Sequence, residues 1–233
     1  MKNIFEMLSE DIRFIEGLNA CINCGTCTAI CPAAGFYDYN PKTIMNIVQS
    51  RDEEQLIELL KADSIWYCGE CLSCKTRCPR NNTPGYVIQA LRALSTELGY
   101  FVESEKGRQQ LALKRMIGDD ILKYGYCVHT DEINTEMFPE QGPVWNWLKK
   151  NIASLSEKFG TNYNKKGAGG MRIISDSSLQ DLKKIFDETG ATERFEKIER
   201  FSKQKASEMN LKSGEGKQNE YFKFIYDGNQ KEK

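Results

Sequence analysis

The sequence predicts an all-α protein, and three observations carry that expectation. Apolar residues recur at steps of three and four over most of the chain, Asn-Pro and Thr-Pro pairs stand where helices should open, and no alternating run of strand character separates the cysteine-rich segments. Over residues 3–18 the stripe is Ile4, Leu8, Ile12, Ile15 and Leu18, which predicts a helix there. Asn40 followed by Pro41 reads as an N-cap with proline at the first helical position, opening a helix over 42–49. Leu56, Leu59 and Leu60 share one face of a short helix over 52–61. Thr83-Pro84 repeats the start signal ahead of Val87, Ile88, Leu91, Leu94 and Leu98.

Beyond Gly99 the character changes. A helix is expected over 103–122, broken at Tyr124-Gly125-Tyr126. Pro143 opens another through 159, with Trp145, Leu148, Ile152, Leu155 and Phe159 on one side. Residues 165–170 read as a flexible loop. Two further helices are expected over 178–188 and 192–209, split at Gly190. Residues 213–217 read as a linker, and 221–226 as a short aromatic patch. The division expected is a module over 1–100, a helical extension over 101–212, and a linker with an aromatic tail over 213–233.

Composition narrows the function classes. With 40% apolar and 28% charged residues, 18 Gly and 6 Pro, collagen-like and disordered chains are excluded. Lys+Arg 32 against Asp+Glu 33 leaves a net charge of −1, without the basic surplus that binding to nucleic-acid phosphates requires. No run approaches the ~20 apolar residues of a membrane span. The first eleven residues turn acidic before any apolar segment forms, so no secretory signal is expected and a cytoplasmic location follows. That compartment keeps thiols reduced, so nine cysteines need a reason other than disulfides.

Eight of them form two runs of one pattern, Cys21-x-x-Cys24-x-x-Cys27-x-x-x-Cys31-Pro32 and Cys68-x-x-Cys71-x-x-Cys74-x-x-x-Cys78-Pro79, set 47 residues apart. A cubane 4Fe-4S cluster offers four iron corners, each taking one thiolate, and a short Cys-x-x-Cys-x-x-Cys turn wraps three of them. In two-cluster proteins with this run the fourth cysteine ligates the other cluster. The expected sets are therefore Cys21, Cys24, Cys27 and Cys78 on one cluster, and Cys68, Cys71, Cys74 and Cys31 on the other. Two zinc sites of four thiolates each are the competing reading, but zinc sites are usually built from separated cysteine pairs. The first run has neutral neighbours, whereas Lys75, Arg77 and Arg80 stand beside Glu70 around the second. Positive charge favours a reduced cluster, which predicts the higher potential at Cys68/Cys71/Cys74. A solvated charged surface with little effect is the alternative.

The other candidates are weak. Cys127 and His129 are too close in sequence to face each other as a nucleophilic pair, and a buried structural cysteine beside an incidental histidine is expected. Trp145 and Trp147 read as packing residues. The 167–170 stretch lacks both the Walker and the Gly-x-Gly-x-x-Gly pattern.

The two runs, the helical segment between them, Trp66-Tyr67 before the second, and Pro84-Gly85-Tyr86-Val87-Ile88-Gln89-Ala90-Leu91-Arg92 after it resemble the C subunit of heterodisulfide reductase over roughly the first 100 residues. The resemblance implies an α-helical ferredoxin module with two 4Fe-4S clusters plus a helical C-terminal extension. It implies an electron relay between a flavin-bearing A subunit and a catalytic B subunit. No Cys-Cys-Gly occurs in the chain, so substrate-reacting clusters belong on another polypeptide. The length of the extension is more similar to the C subunits of heterodisulfide-reductase-like complexes of sulfur oxidisers than to the methanogenic subunit acting on the CoM-CoB heterodisulfide. A zinc-stabilised interaction module and a freely diffusing ferredoxin are the other readings. The extension, with Trp145, Trp147 and residues 221–226, is the expected docking surface, against the plainer reading of a second helical layer.

Overall fold

The computed structural model describes residues 2–132, 135, 136 and 138–227, and every regular element among them is helical. The first departure from expectation lies at the start, where one helix becomes two: α1 (Ile4–Leu8) and α2 (Ile12–Gly17). Asn3 and Glu6 form a reciprocal capping box on α1, and Asp11 takes an extended backbone and accepts the Arg13 N–H at 2.8 Å. The break rotates the stripe. Ile4, Leu8 and Phe14 are buried, while Ile12 and Ile15 are 63% and 56% exposed.

The one-turn α3 (Thr26–Ala29) lies inside the first cysteine run. Next come α4 (Pro41–Ser50), whose first turn is capped by Asn40 Oδ1 accepting from Thr43 N–H at 3.3 Å, and α5 (Glu53–Lys61), capped by Asp52. The long α6 (Pro84–Leu98) starts on Pro84 and ends at left-handed Gly99. It packs against α1, α2, α4 and α5, burying Val87, Ile88 and Leu91 among Met45, Val48, Leu56, Leu60 and Ile65. Each such aliphatic side chain contributes about 1.5–3 kcal/mol by leaving water. Gly17 lets α2 approach: a Cβ there would meet Tyr86 Cβ and Val87 Cγ2 at 3.0 Å.

The helix expected over 103–122 is a series of short turns: a 3-10 turn at Tyr100–Glu103, α7 (Glu105–Arg108), α8 (Gln110–Leu113), a π-helical turn at Lys114–Gly118 and α9 (Asp119–Tyr124). Close approaches at two glycines accompany the segmentation. A Cβ on Gly107 would lie 2.1 Å from the Phe101 carbonyl oxygen, and one on Gly118 would enter the Phe195 ring at 2.5 Å. Left-handed Gly125 ends α9, where the break was expected. In α10 (Gly142–Lys158) the stripe Trp145, Leu148, Ile152 and Leu155 is only half-buried, and Phe159 beyond it is 78% exposed. The 165–170 loop is closed by backbone bonds, Asn162 N–H to Gly170 O and Ile173 N–H to Lys165 O, both at 3.0 Å.

Finally α11 (Asp176–Glu188) and α12 (Ala191–Glu208) meet at Gly190, and α13 (Glu220–Asp227) follows. The aromatic patch belongs to a second hydrophobic core rather than an open docking face: Tyr221, Phe222 and Ile225 are buried with Phe101, Leu111 and Ile198. The segment before it is anchored by buried Arg115, which donates to Gly216 O at 2.5 Å and forks onto Glu199 at 2.9 and 2.6 Å. Burial pushes the Glu199 carboxyl up, yet Arg115 and Lys114 hold it below the ordinary carboxylate range. Residues 228–233 of the expected tail lie outside the described residues. Trp66 packs against both cores.

Candidate iron–sulfur site

The two cysteine runs share more than spacing. Asn23 and Gly25 in the first have φ of 59° and 79°, and Glu70 and Leu72, at the same places in the second, have φ of 55° and 57°. A non-glycine residue held there costs roughly 1–2 kcal/mol. Two different sequences therefore take the same left-handed turns, with one strained residue in the first loop and two in the second. Left-handed residues in a tight turn are the kind of backbone that gathers amide N–H groups around anions and iron–sulfur groups.

Side chains repeat the pattern. Cys24 Sγ lies 3.3 Å from Thr26 Oγ1, and Cys71 Sγ 3.4 Å from Ser73 Oγ, so a neighbouring hydroxyl lowers each thiol from its ordinary value. Burial pushes Cys27 and Cys74 up. Cys24 and Cys71 are exposed, and the other six run cysteines are half-buried. Gly85, at the start of α6, lies against the second loop, where a Cβ would meet Leu72 Cδ2 at 3.0 Å. The same Cβ would lie 3.9 Å from Cys74 Sγ.

Cys31, the fourth cysteine of the first run, sits with the second loop. An open cavity of about 390 Å³ is walled by Cys68, Cys71 and Cys74 together with Cys31, and Cys27 also reaches it. Residues 80–83, just after Cys78, are bonded to the segment entering the first loop. Asn19 N–H donates to Asn82 Oδ1 at 2.7 Å, Thr83 N–H to Gly17 O at 2.8 Å and Arg80 Nε to Ala20 O at 3.4 Å. Asn82 N–H in turn donates to Cys78 Sγ at 3.3 Å. Four thiolates on one zinc ion, at about 2.3 Å each, must crowd together. Among the described residues no three Cys, His, Asp or Glu side chains are gathered closely enough to hold a single ion. The donor set and the cavity suit a larger group than one ion.

Three supporting residues escaped the sequence reading. Gln49 of α4 accepts from Cys21 N–H at 2.7 Å and donates to Cys21 O at 3.4 Å. Arg92 of α6 donates to Ile65 O, Cys68 O and Glu70 Oε1, each at 2.6 Å. Tyr39, 3% exposed, lines the cavity with Cys68; burial and that neighbouring thiol push its hydroxyl far up. A polar residue inside the apolar stripe of α6, Arg92 beside Ile88 and Leu91, was the available signal.

Cys127 corrects an expectation, since it is exposed rather than buried. His129 is the buried partner, stacked on Tyr124 at 4.1 Å, and makes a packing contact rather than a nucleophilic pair. Trp145 is half-buried, while Trp147 and Val144 on α10 are 56% and 71% exposed.

A helical fold carrying duplicated four-cysteine loops defines an iron–sulfur protein of the two-cluster class, and residues 17–82 match the family model described as a 4Fe-4S dicluster domain. The chain is 34% identical over 161 residues to the C subunit of the ferredoxin:CoB-CoM heterodisulfide reductase of Methanosarcina acetivorans, which covers 68% of this chain and 61% of that one. It is 30% identical over 152 residues to the second iron-sulfur C subunit of the CoB–CoM heterodisulfide reductase of Methanocaldococcus jannaschii, which covers 65% of this chain and 72% of that one. A protein of Archaeoglobus profundus described as like the heterodisulfide reductase C subunit is 38% identical over 98 residues, 41% of this chain and 49% of that one. The chain belongs to the family of heterodisulfide reductase C subunits, whose members are iron–sulfur electron-transfer subunits. It spans about three fifths of the length of the Methanosarcina relative. Because 161 residues exceed the first hundred, and that relative is the longer chain, the length of the extension does not set this protein apart from methanogenic subunits. No helix among the described residues is long and apolar enough to cross a membrane.

Proposed function

We propose that this chain is the relay subunit of a heterodisulfide-reductase-like complex. It passes single electrons between a flavin-bearing A-type subunit and a B-type subunit that carries the catalytic chemistry of sulfur or disulfide metabolism. The 4Fe-4S groups supply reversible one-electron storage. Cys21, Cys24, Cys27 and Cys78 hold one, and Cys68, Cys71, Cys74 and Cys31 hold the other. The observation that carries the reading is Cys31 standing on one cavity wall with Cys68, Cys71 and Cys74, across 37 or more residues of chain. Residues 1–100 form the relay module, and the extension forms a helical layer beside it.

Trp147 and Val144 leave α10 as the part of the extension open to a neighbouring subunit. The relatives' names favour a CoB–CoM-type disulfide over the sulfur-oxidising type, and the identity of co-purifying subunits separates the two. The deciding measurement is iron, acid-labile sulfide and EPR on anaerobically purified, dithionite-reduced protein. About eight irons per chain with a magnetically coupled spectrum is the expected result. Two zincs and no signal would replace the relay by a zinc-stabilised scaffold.

A further inference from the structure

The two loops are backbone copies, but their surroundings are not. Around the first, the side chain holding the loop is neutral Gln49, bonded to both backbone groups of Cys21. Around the second, Arg92 holds the loop through its guanidinium, on a side chain that is only 14% exposed. Two of its three bonds cover the carbonyl oxygens of Ile65 and Cys68, so the negative ends of those dipoles meet a cation beside the site. Its third bond, to half-exposed Glu70, offsets part of that charge. On the cavity itself the Tyr39 side chain, 3% exposed, stands with Cys68 and Cys31. Hydrogen bonds to cluster sulfurs and nearby positive charge both favour the reduced form.

The cations picked out in the sequence are placed less well. Arg77 and Arg80 are exposed, and Arg80 reaches Ala20 beside the first loop. Lys75 is exposed and lies over the Tyr86 ring at 5.0 Å. Solvent and salt screen all three.

We infer that Tyr39 and Arg92 are positioning residues that set the potential of the Cys68/Cys71/Cys74/Cys31 cluster above that of its twin, giving the relay a built-in direction. This rests on the two-cluster reading above. One electron shared between the clusters is biased toward the second by these two side chains. The first cluster is oxidised by the one electron that the second gains, and no proton moves.

The test is an EPR-monitored redox titration of the full chain, with iron counted in every sample. In the parent protein two one-electron steps are expected with about eight irons. Fewer irons or a single step would bring down the two-cluster reading itself, and the inference with it. Tyr39→Phe and Arg92→Gln should each shift electron partition about tenfold away from the second cluster. That is about 59 mV on the upper step for one electron, with the lower step in place and iron unchanged. Arg92→Lys, which keeps the cation without the fork, should fall between, and Glu70→Gln should raise the upper step. Movement of the lower step, equal movement of both, or no movement in iron-replete variants would overturn the inference. Tyr39→Phe preserves the ring and its packing, so a failure of Arg92→Gln to fold leaves the inference exposed to the tyrosine result.

Discussion

The two cysteine loops answer one structural demand with different residues. Asn23 and Gly25 in the first loop, and Glu70 and Leu72 in the second, take the same left-handed angles, although only glycine does so without strain. Thr26 and Ser73 set a hydroxyl beside the same cysteine position. The supports differ instead: a neutral amide from α4 against a half-buried guanidinium from α6, and the Tyr39 phenol on the cavity of the second loop. Backbone conformation is fixed by what both loops must hold, whereas the surrounding side chains are free to make the two sites unequal.

The crossing of the fourth cysteines gives the largest expected effect. Cys31→Ala should cost the cluster of the second loop, and Cys78→Ala that of the first, each leaving about four irons of eight. The remaining EPR signal should shift in position with Arg92→Gln only when Cys78 is the residue removed. Loss of the cluster on the same run as the altered cysteine would break the comparison.

Loosening the first loop comes next. Gln49→Leu leaves the half-buried Cys21 N–H without its acceptor, an expected loss of about 1–3 kcal/mol, read by chemical denaturation of the iron-replete protein. Gly25→Ala meets only Lys42 Cδ at 3.9 Å, so its cost is strain alone, about 1 kcal/mol, read the same way. A much larger loss would mean that the first loop is packed more tightly than the second. The smallest effect belongs to the hydroxyls. Thr26→Val and Ser73→Ala each remove one bond to a cysteine sulfur, worth about 1 kcal/mol, and should speed iron loss to a chelator about fivefold. Unequal changes would show that the paired hydroxyls are not equivalent.

Local signals carried the reading where chain and chemistry coincide. The cysteine spacing, Asn40-Pro41, Asp52, Thr83-Pro84 and Gly190 all act within a few residues of themselves, and α4, α5, α6, α11 and α12 stand within a residue or two of expectation. At Asp11 periodicity alone misled. Its side chain offers Arg13 N–H a local acceptor, and that competes with the apolar stripe running through it. Gly107 and Gly118 were silent for another reason, since their meaning lies in Phe101 and Phe195, one of them far along the chain. Tyr221 and Phe222 read as a surface patch because part of the core that takes them, Phe101, Val102, Leu111 and Ala112, lies over 100 positions earlier. Tyr39, Gln49 and Arg92 belong to no motif, and only the folded chain brings them to the loops.

The proposed exchange of cysteines between loops has a consequence for how the protein is made. A nascent chain that has emerged only through residue 77 carries three of the four ligands proposed for the first site, and the fourth has yet to be synthesised. The second site draws on Cys31, delivered long before Cys68 exists. Neither metal group can be completed co-translationally from one half alone, so cofactor delivery must follow emergence of both runs. A ribosome stalled ahead of Cys78 would hold open thiols rather than a finished centre.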